Sequence, residues 1–212
     1  MTFVQKKVKM KNKNLPTKEE IIKLSKIHPA RIKNIYLFGS QVYGNNREDS
    51  DFDFIVTCSS TIAKQEIKEG RINLHLHTHD VFKDDLYKHD IHDLECFFAP
   101  DWAKLQIKDS YNFVINNDKL KKSVLSESSN SWHKAKLKLR DEDYYKSAKS
   151  VWHSIRMLMF AIDMCKNGAI TDFSVANLYW DAISSTTDFD WTCIKKELGF
   201  IREKFEKKLI ML

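Results

Sequence analysis

The spacing of hydrophobic residues changes at about residue 112 of this 212-residue chain. Before that point the apolar residues form short runs of strand length, and after it they recur with the period of amphipathic helices. The short runs lie at Ile32 to Phe38, Phe52 to Val56 and Ile72 to His79. Glycine (5) and proline (3) are scarce, which disfavours an all-β sandwich. The sequence therefore predicts an α+β fold, in which a small mixed β-sheet flanked by helices is followed by an all-α C-terminal helical domain.

Three segments are predicted from these patterns. Residues 1–14 contain five lysines and show little periodicity, which indicates a flexible basic arm. Residues 15–112 are expected to form the sheet-containing domain, and residues 113–212 are expected to form the helical domain.

Helices are predicted from caps and periodicity. Thr17 and Glu20 form a capping box that begins a helix ending near His28. The sheet domain is expected to contain two more helices, at Ile62 to Glu69 and at Asp80 to His89. The helical domain is expected to contain four, at residues 114–125, 132–166 and 172–185 and from residue 190 to the C-terminus.

Composition limits the location and the partners of the protein. The sequence contains no stretch of about 18 apolar residues, so no transmembrane helix is predicted. The lysine-rich N-terminus lacks the apolar core of a secretory signal. The four cysteines form no Cys-x-x-Cys pair, so we expect reduced thiols in a cytoplasmic protein. A net charge of +6 indicates a polyanionic partner such as nucleic acid, although a lysine- and asparagine-rich composition also follows from an AT-rich genome.

The residues most suited to chemistry lie between the first two predicted strands. Gly39 and Ser40 follow the first strand, where glycine lets a phosphate approach the backbone and a hydroxyl with free N–H groups can bind its oxygens. Asp51 and Asp53 alternate at the start of the second strand, so both carboxylates point to one face. Two carboxylates beside a phosphate-binding turn suit Mg²⁺ bound to a triphosphate.

This arrangement resembles the signature of the DNA polymerase beta nucleotidyltransferase superfamily, over roughly residues 30 to 100. The resemblance implies that Gly39, Ser40 and Ser50 form part of the nucleotide-binding site, with Ser50 capping the turn that presents Asp51. It also implies that Asp51 and Asp53 bind two Mg²⁺ ions, for which Mn²⁺ could substitute. The fold implied is a nucleotidyltransferase palm.

One expected acid is missing. Members of this superfamily usually place a third carboxylate on the next strand, whereas the polar face of Ile72 to His79 presents Asn73 and His75 near that position. We therefore predict His75 as a third catalytic residue, since a neutral imidazole can act as a general base. Glu95 and Asp80 are the alternative acids. The alternating histidines (His75, His77 and His79) could instead be partly exposed strand residues beside the cleft, or share a zinc ion.

The predicted helical domain adds a basic segment. Residues 119–149 contain nine Lys or Arg against four Asp or Glu, interleaved with aromatic residues. We predict that Lys138 and Lys149 contact the nucleotide, while an ordinary solvated helix remains the alternative.

Together these features predict a metal-dependent nucleotidyltransferase of the EC 2.7.7 type. It would bind ATP or another NTP, transfer the nucleoside monophosphate to a hydroxyl group at an RNA (tRNA-like) 3′ end, and release pyrophosphate. One alternative is a protein AMP-transferase of the antitoxin-like kind. The other is a non-catalytic module that binds nucleotide or nucleic acid on the same fold. The identity of the NTP and the oligomeric state do not follow from the sequence.

Overall fold

The computed structural model describes residues 15–59, 65–184 and 190–212. These residues fall into two compact units, one ending at Val114 and the other beginning at Ile115, and each is described by itself. The predicted basic arm at residues 1–14 lies outside the described residues.

A five-stranded mixed β-sheet forms the centre of the first unit, with the strand order β3-β4-β2-β1-β5. Strand β1 is antiparallel to β2 and β5, β3 is antiparallel to β4, and β2 runs parallel to β4. The strands are β1 (Ile32–Phe38), β2 (Phe52–Cys58), β3 (Gln65–Glu69), β4 (Ile72–Thr78) and β5 (Lys104–Ile107). This sheet, with its flanking helices and the helices after residue 115, confirms the predicted α+β fold class.

Strand pairing places the polar residues of β4 beside Asp53. In the parallel ladder Asp53 is opposite Asn73, and Thr57 is opposite His77. Because side chains alternate along a strand, these residues share one face of the sheet, while Phe54, Val56, Leu74 and Leu76 point to the other face and are buried. The sheet therefore carries an apolar core on one face and the candidate chemistry on the other.

Four α-helices accompany this sheet. Helix α1 begins with the predicted capping box, in which Thr17 accepts from Glu20 N and Glu20 accepts from Thr17 N. Helices α3 and α4 begin at the side-chain caps Thr78 and Asp90. The helices are α1 (Lys18–Ser25), α2 (Ser40–Tyr43), α3 (His79–Lys88) and α4 (Ile91–Phe97), and a 3-10 helix (Asp101–Ala103) leads into β5.

One prediction for the sheet unit was wrong, and one strand was missed. The helix predicted at Ile62 to Glu69 is strand β3 from Gln65 onwards, while residues 62–64 lie outside the described part of the chain. The antiparallel pairing of β3 with β4 outweighs the local helix propensity. The residues of β3 are mostly exposed and polar, so they do not show the alternation of apolar and polar residues that predicts a strand. Strand β5 was not predicted, because its four residues are too short to show a period.

The second unit consists of helices α5 (Asn117–Arg140), α6 (Tyr144–Asn167), α7 (Asn177–Ser184) and α8 (Trp191–Ile210). The long helix predicted from Trp132 to Lys166 is interrupted between α5 and α6. Glu142 adopts a left-handed conformation with a φ of 59°, and Asp143 caps the new helix by accepting from Lys146 N. The predicted stop at Asn167-Gly168 is correct, with Gly168 in the left-handed region.

The described cysteines are all free thiols, at Cys58, Cys96, Cys165 and Cys193. Within the described ranges, every helix is too short or too polar to cross a membrane.

Candidate active site

The turn after β1 requires glycine at position 39. Gly39 has a φ of 79° and a ψ of −156°, a conformation that is almost restricted to glycine. Its carbonyl accepts from the N–H groups of Val42 and Tyr43, which begins helix α2. A Cβ atom added at Gly39 would lie 2.9 Å from Asp53 Oδ2. The backbone at Gly39 therefore packs directly against one of the two predicted catalytic carboxylates.

The turn before β2 is held by Ser50, as the sequence predicted. Its hydroxyl accepts from Arg47 N at 2.8 Å, and its own N–H donates to Arg47 O at 3.1 Å. Arg71 donates to Ser50 O through Nη2 at 2.6 Å and Nε at 3.1 Å. These contacts fix the backbone from which the Asp51 side chain extends.

Asp51 and Asp53 lie beside an ammonium group that the sequence analysis did not identify. Lys68 on β3 donates to Asp51 Oδ2 at 3.0 Å. That hydrogen bond, together with the charges of Asp51, Asp53 and Glu66, raises the pKa of Lys68. The carboxylates of Asp51, which precedes β2, and of Asp53, on β2, therefore both act on the Lys68 ammonium. Lys68 was missed because its strand had been predicted as a helix.

Asn73 occupies the register position opposite Asp53, where the third acid was expected. Its amide nitrogen lies 3.2 Å from Asp53 Oδ1 and 3.3 Å from His75 Nε2. Because the amide donates to Asp53, a neutral His75 accepts through Nε2 and carries its proton on Nδ1. The Asn73 amide oxygen is buried and has no hydrogen-bond partner in the described structure.

His75 lies next to Asn73, half-buried against the ring of Phe38, with a distance of 5.6 Å between ring centroids. Burial lowers the pKa of His75, although the charges of Glu66 and Asp53 oppose the shift. The ring is therefore neutral at pH 7, the protonation state that a general base requires. Its basic Nε2 faces the Asn73 amide.

Glu95, an alternative third acid, is buried on α4 and accepts a hydrogen bond from Tyr43 at the end of α2. Asp80, the other alternative, is exposed in the first turn of α3. The Tyr43–Glu95 contact connects α4 to the helix that follows Gly39.

The three alternating histidines have different partners. While His75 contacts Asn73, His77 Nδ1 lies 3.5 Å from Asp93 Oδ1, and His79 Nδ1 lies 3.1 Å from Asp109 Oδ2. The structure therefore does not bring them together as shared ligands of one ion.

Lys138 and Lys149 belong to the helical unit. Lys138 lies in the last turn of α5, with its ammonium 4.0 Å from Asp141, and Lys149 is exposed on α6. Their assignment to nucleotide binding stays a prediction.

Asp51 and Asp53 fit a divalent cation such as Mg²⁺, because both offer hard carboxylate oxygens and already attract one cation, Lys68. At the third position Asn73 supplies a neutral amide oxygen, which has no hydrogen-bond partner in the described structure. Like a carboxylate oxygen, it is a hard ligand for a divalent cation. The fit is therefore that of two charged ligands and one neutral ligand, in place of three carboxylates.

Comparison with known proteins gives three similarities. The family described as "Polymerase beta, Nucleotidyltransferase" matches residues 19–120. The chain is similar to the solved structure of spectinomycin adenyltransferase AAD(9) from Enterococcus faecialis with ATP and spectinomycin, with 15% identity and a TM-score of 0.47 over 92% of this chain and 99% of that one. It is also similar to a nucleotidyltransferase-like protein from Exiguobacterium sibiricum 255-15, with 10% identity and a TM-score of 0.33 over 91% of this chain and 73% of that one. No curated protein sequence matches. The family match contains all the site residues described above except Lys138 and Lys149.

Proposed function

Because this chain belongs to the DNA polymerase beta nucleotidyltransferase superfamily, we propose that it transfers a nucleoside monophosphate from an NTP to a hydroxyl acceptor. The observation that carries the proposal is the convergence of Asp51, Asp53 and the Gly39 turn. Two carboxylates share a face, and the backbone of a phosphate-binding turn lies directly against one of them. A triphosphate with its cation requires this combination of hard oxygen ligands and accessible backbone.

Asp51 and Asp53 would hold Mg²⁺ or Mn²⁺, which when bound supplies charge neutralisation for the triphosphate and the leaving group. Gly39 lets the phosphate oxygens approach the backbone, and the Ser40 hydroxyl adds a donor at the start of α2. Lys68 holds the carboxylates in place before the substrate binds. A cation bound to Asp51 would free the Lys68 ammonium to contact the phosphates.

The reaction breaks the phosphoanhydride bond between the α- and β-phosphates and forms a phosphodiester bond to the acceptor. The acceptor oxygen attacks the α-phosphorus, the bond from that phosphorus to the bridging oxygen breaks, and pyrophosphate leaves with the electron pair. The hydroxyl proton must be removed, and we assign its removal to His75, because the neighbouring Asn73 amide cannot accept a proton at neutral pH. Most of the rate enhancement would come from positioning and electrostatics.

For the acceptor we propose an RNA 3′ end, because the excess of basic residues lies outside the sheet domain. Residues 15–112 contain thirteen Lys or Arg against sixteen Asp or Glu, whereas residues 113–212 contain seventeen against thirteen. The helical unit also has a cleft of about 700 Å³ whose lining includes Lys136, Arg140, Tyr144 and Trp191, together with Glu142 and Asp190. Basic and aromatic side chains in one cleft suit phosphates and stacked bases.

The test is transfer of label from each NTP, labelled in the α-phosphate, with Mg²⁺ or Mn²⁺ and with RNA, protein or no acceptor. We expect labelled RNA, and a loss of more than about a hundredfold in rate for Asp53→Asn, because a ligand of the essential cation is removed. Asp101→Asn is the matched control, since Asp101 is exposed in the 3-10 helix. Equal activity of Asp53→Asn and wild type would overturn the site assignment. Label on protein instead of RNA would indicate a protein AMP-transferase, and nucleotide binding without transfer would indicate a binding module.

The role of the helical unit is tested by replacing Lys138 and Lys149 together with glutamine. If these lysines contact RNA phosphates, RNA labelling falls in the double variant. The plot of the logarithm of RNA affinity against the logarithm of salt concentration also becomes less steep, by a slope of about 0.7 for each lost contact to a single strand. Lys166→Gln, at an exposed lysine in the last turn of α6, is the control. An unchanged salt slope in the double variant would place the RNA contacts elsewhere.

A further inference from the structure

A second group of potential metal ligands lies buried in the sheet unit, where β4 meets two helices. It consists of His77 on β4, Asp85 on α3 and Asp93 on α4, called here the His-Asp-Asp cluster. One ligand atom from each residue lies within 4.8 Å of the other two. The exposed fractions are 8% for His77, 8% for Asp85 and 2% for Asp93, so water has little access to these groups.

The contact between His77 and Asp93 does not satisfy either side chain. Their closest atoms, His77 Nδ1 and Asp93 Oδ1, are 3.5 Å apart, and neither atom has a hydrogen-bond partner within the described residues. A buried carboxylate without a partner is costly, because burial removes the hydration that stabilises its charge. The cluster therefore presents two unsatisfied ligand atoms within 4.8 Å of a further carboxylate.

The charges surrounding the cluster are mainly negative. Asp90, the N-cap of α4, and Asp93 lie on the same helix, and Asp85 reaches the cluster from α3. The cation recorded against Asp85 is Lys88, whose ammonium lies 3.3 Å from Oδ1 while its side chain is 73% exposed. The ammonium of this pair lies largely in solvent, whereas a bound divalent ion would lie among the three ligand atoms.

We propose that the His-Asp-Asp cluster binds one zinc ion. In tetrahedral coordination with bonds of 2.0–2.2 Å, two ligands of the same ion lie about 3.4 Å apart. The 3.5 Å separation of His77 Nδ1 and Asp93 Oδ1 matches that spacing, whereas it is long for a direct hydrogen bond. Imidazole nitrogen with carboxylate oxygen also suits zinc better than Mg²⁺, which prefers oxygen ligands alone.

The zinc site is separate from the candidate active site. His77 lies four residues along β4 from Asn73 and two from His75, which are distances of about 13 Å and about 7 Å at strand spacing. Its partner Asp93 belongs to α4, outside the candidate active site. The ion would connect β4, α3 and α4, so its expected role is structural.

The proposal is tested on the full chain after treatment with EDTA and removal of the chelator. One equivalent of Zn²⁺ should raise the melting temperature, and elemental analysis after desalting should find one zinc ion per chain. Both effects should persist in the Asp51→Asn/Asp53→Asn double variant, because that variant removes only the active-site carboxylates. Both should be lost in Asp85→Asn and in Asp93→Asn, with at least a tenfold loss in zinc affinity.

Asp84→Asn is the matched control, since Asp84 precedes Asp85 on α3 but is exposed. Each variant is compared with itself with and without Zn²⁺, so a change in its intrinsic stability does not affect the result. If Asp93→Asn does not fold, Asp85→Asn and His77→Gln decide. Wild-type zinc stoichiometry and stabilisation in the cluster variants would overturn the proposal. Loss of zinc binding and of stabilisation in the Asp51→Asn/Asp53→Asn double variant would also overturn it, because the ion would then lie at Asp51 and Asp53.

Discussion

Asn73 lies directly opposite Asp53 in the parallel pairing of β2 and β4, and its amide donates to Asp53 Oδ1 at 3.2 Å. A carboxylate at this position would face Asp53 as a second negative charge. The amide instead gives Asp53 a hydrogen-bond donor, so the site is stable without a third acid but has less charge with which to bind cations.

Replacing Asn73 with Asp should therefore tighten the binding of Mg²⁺ and raise the rate of transfer. We expect the Mg²⁺ concentration needed for half-maximal transfer to fall at least tenfold, because the change adds a charged oxygen ligand. In EDTA the same variant should melt at a lower temperature than wild type, since like charges repel without a cation. The measurements are transfer rates in a Mg²⁺ titration and thermal melts with and without Mg²⁺. Asn73→Ala, which loses the hydrogen bond without adding charge, is the control; if it matches Asn73→Asp in the titration, the expectation is wrong.

Lys68 is expected to compete with a metal ion for Asp51. Lys68→Met keeps the length of the side chain but removes the ammonium group that lies 3.0 Å from Asp51 Oδ2. Binding of Mn²⁺ in the absence of nucleotide should then become several-fold tighter, because no internal cation has to be displaced. NTP affinity should weaken if the displaced ammonium binds phosphate.

Both affinities can be followed by titration calorimetry, with Lys83→Met on the exposed surface of α3 as the control. Unchanged affinity for Mn²⁺ in Lys68→Met would show that the ion pair does not oppose metal binding.

A side chain at Gly39 should damage both the fold and the site. Gly39→Ala places a methyl group 2.9 Å from Asp53 Oδ2, in addition to the strain of a φ of 79°. Gly70→Ala is the reference for an added Cβ without a contact, because Gly70 has a positive φ of 56° and no atom lies within 4 Å of its added Cβ. The excess in Gly39→Ala therefore reports the Asp53 contact together with the more restricted backbone conformation of Gly39. We expect Gly39→Ala to reduce the free energy of unfolding by about 1–3 kcal/mol more than Gly70→Ala.

Transfer activity should be lost in Gly39→Ala and retained in Gly70→Ala. Chemical denaturation and the transfer assay provide the two measurements. Equal destabilisation by both substitutions would mean that the approach of Gly39 to Asp53 is looser than the structure shows.

Acid should weaken the start of α6. Asp143 accepts from Lys146 N at 3.1 Å and pairs with its ammonium at 2.9 Å, and these interactions with Lys146 lower the pKa of Asp143. A carboxyl group whose pKa is lower in the folded state contributes stability above its unfolded pKa of about 3.9, and loses that contribution as the pH falls through the lower folded value. Asp143→Asn keeps a capping oxygen but removes the charge.

The variant should therefore melt below wild type at about pH 6, and the difference should shrink as the pH falls below about 3.9. Thermal melts of the two proteins across this range provide the measurement. A difference that does not change with pH would mean that the cap acts through its hydrogen bond alone.

The strands that form the site could be predicted because β2 is a short apolar run, buried almost throughout, and β4 alternates apolar with polar residues. Phe54, Val56, Leu74 and Leu76 mark the inner face of β2 and β4, and the polar residues between them then had to share the outer face. Asn73 and His75 could be located near the missing acid for the same reason. The register that places Asn73 rather than His75 opposite Asp53 comes from tertiary pairing, which the sequence alone does not specify.

Lys68 and the interruption before α6 could not be predicted, for different reasons. Lys68 lies on an edge strand whose residues are mostly exposed and polar, so hydrophobic spacing carried no information. At Glu142 the chain takes a left-handed conformation without glycine, asparagine or proline, the residues that usually indicate a helix end. The zinc ligands come from one strand and two helices, and only the packing of those elements brings them together.

The proposed nucleotide site is complete only when β3 and β4 have assembled beside β2. Asp51 meets Lys68 across 17 positions of the chain, and Asp53 meets Asn73 across 20. A chain emerging from the ribosome therefore carries both aspartates before their partners have been made. Nucleotide binding would then report on a completed sheet and could stabilise only the native state against unfolding and degradation.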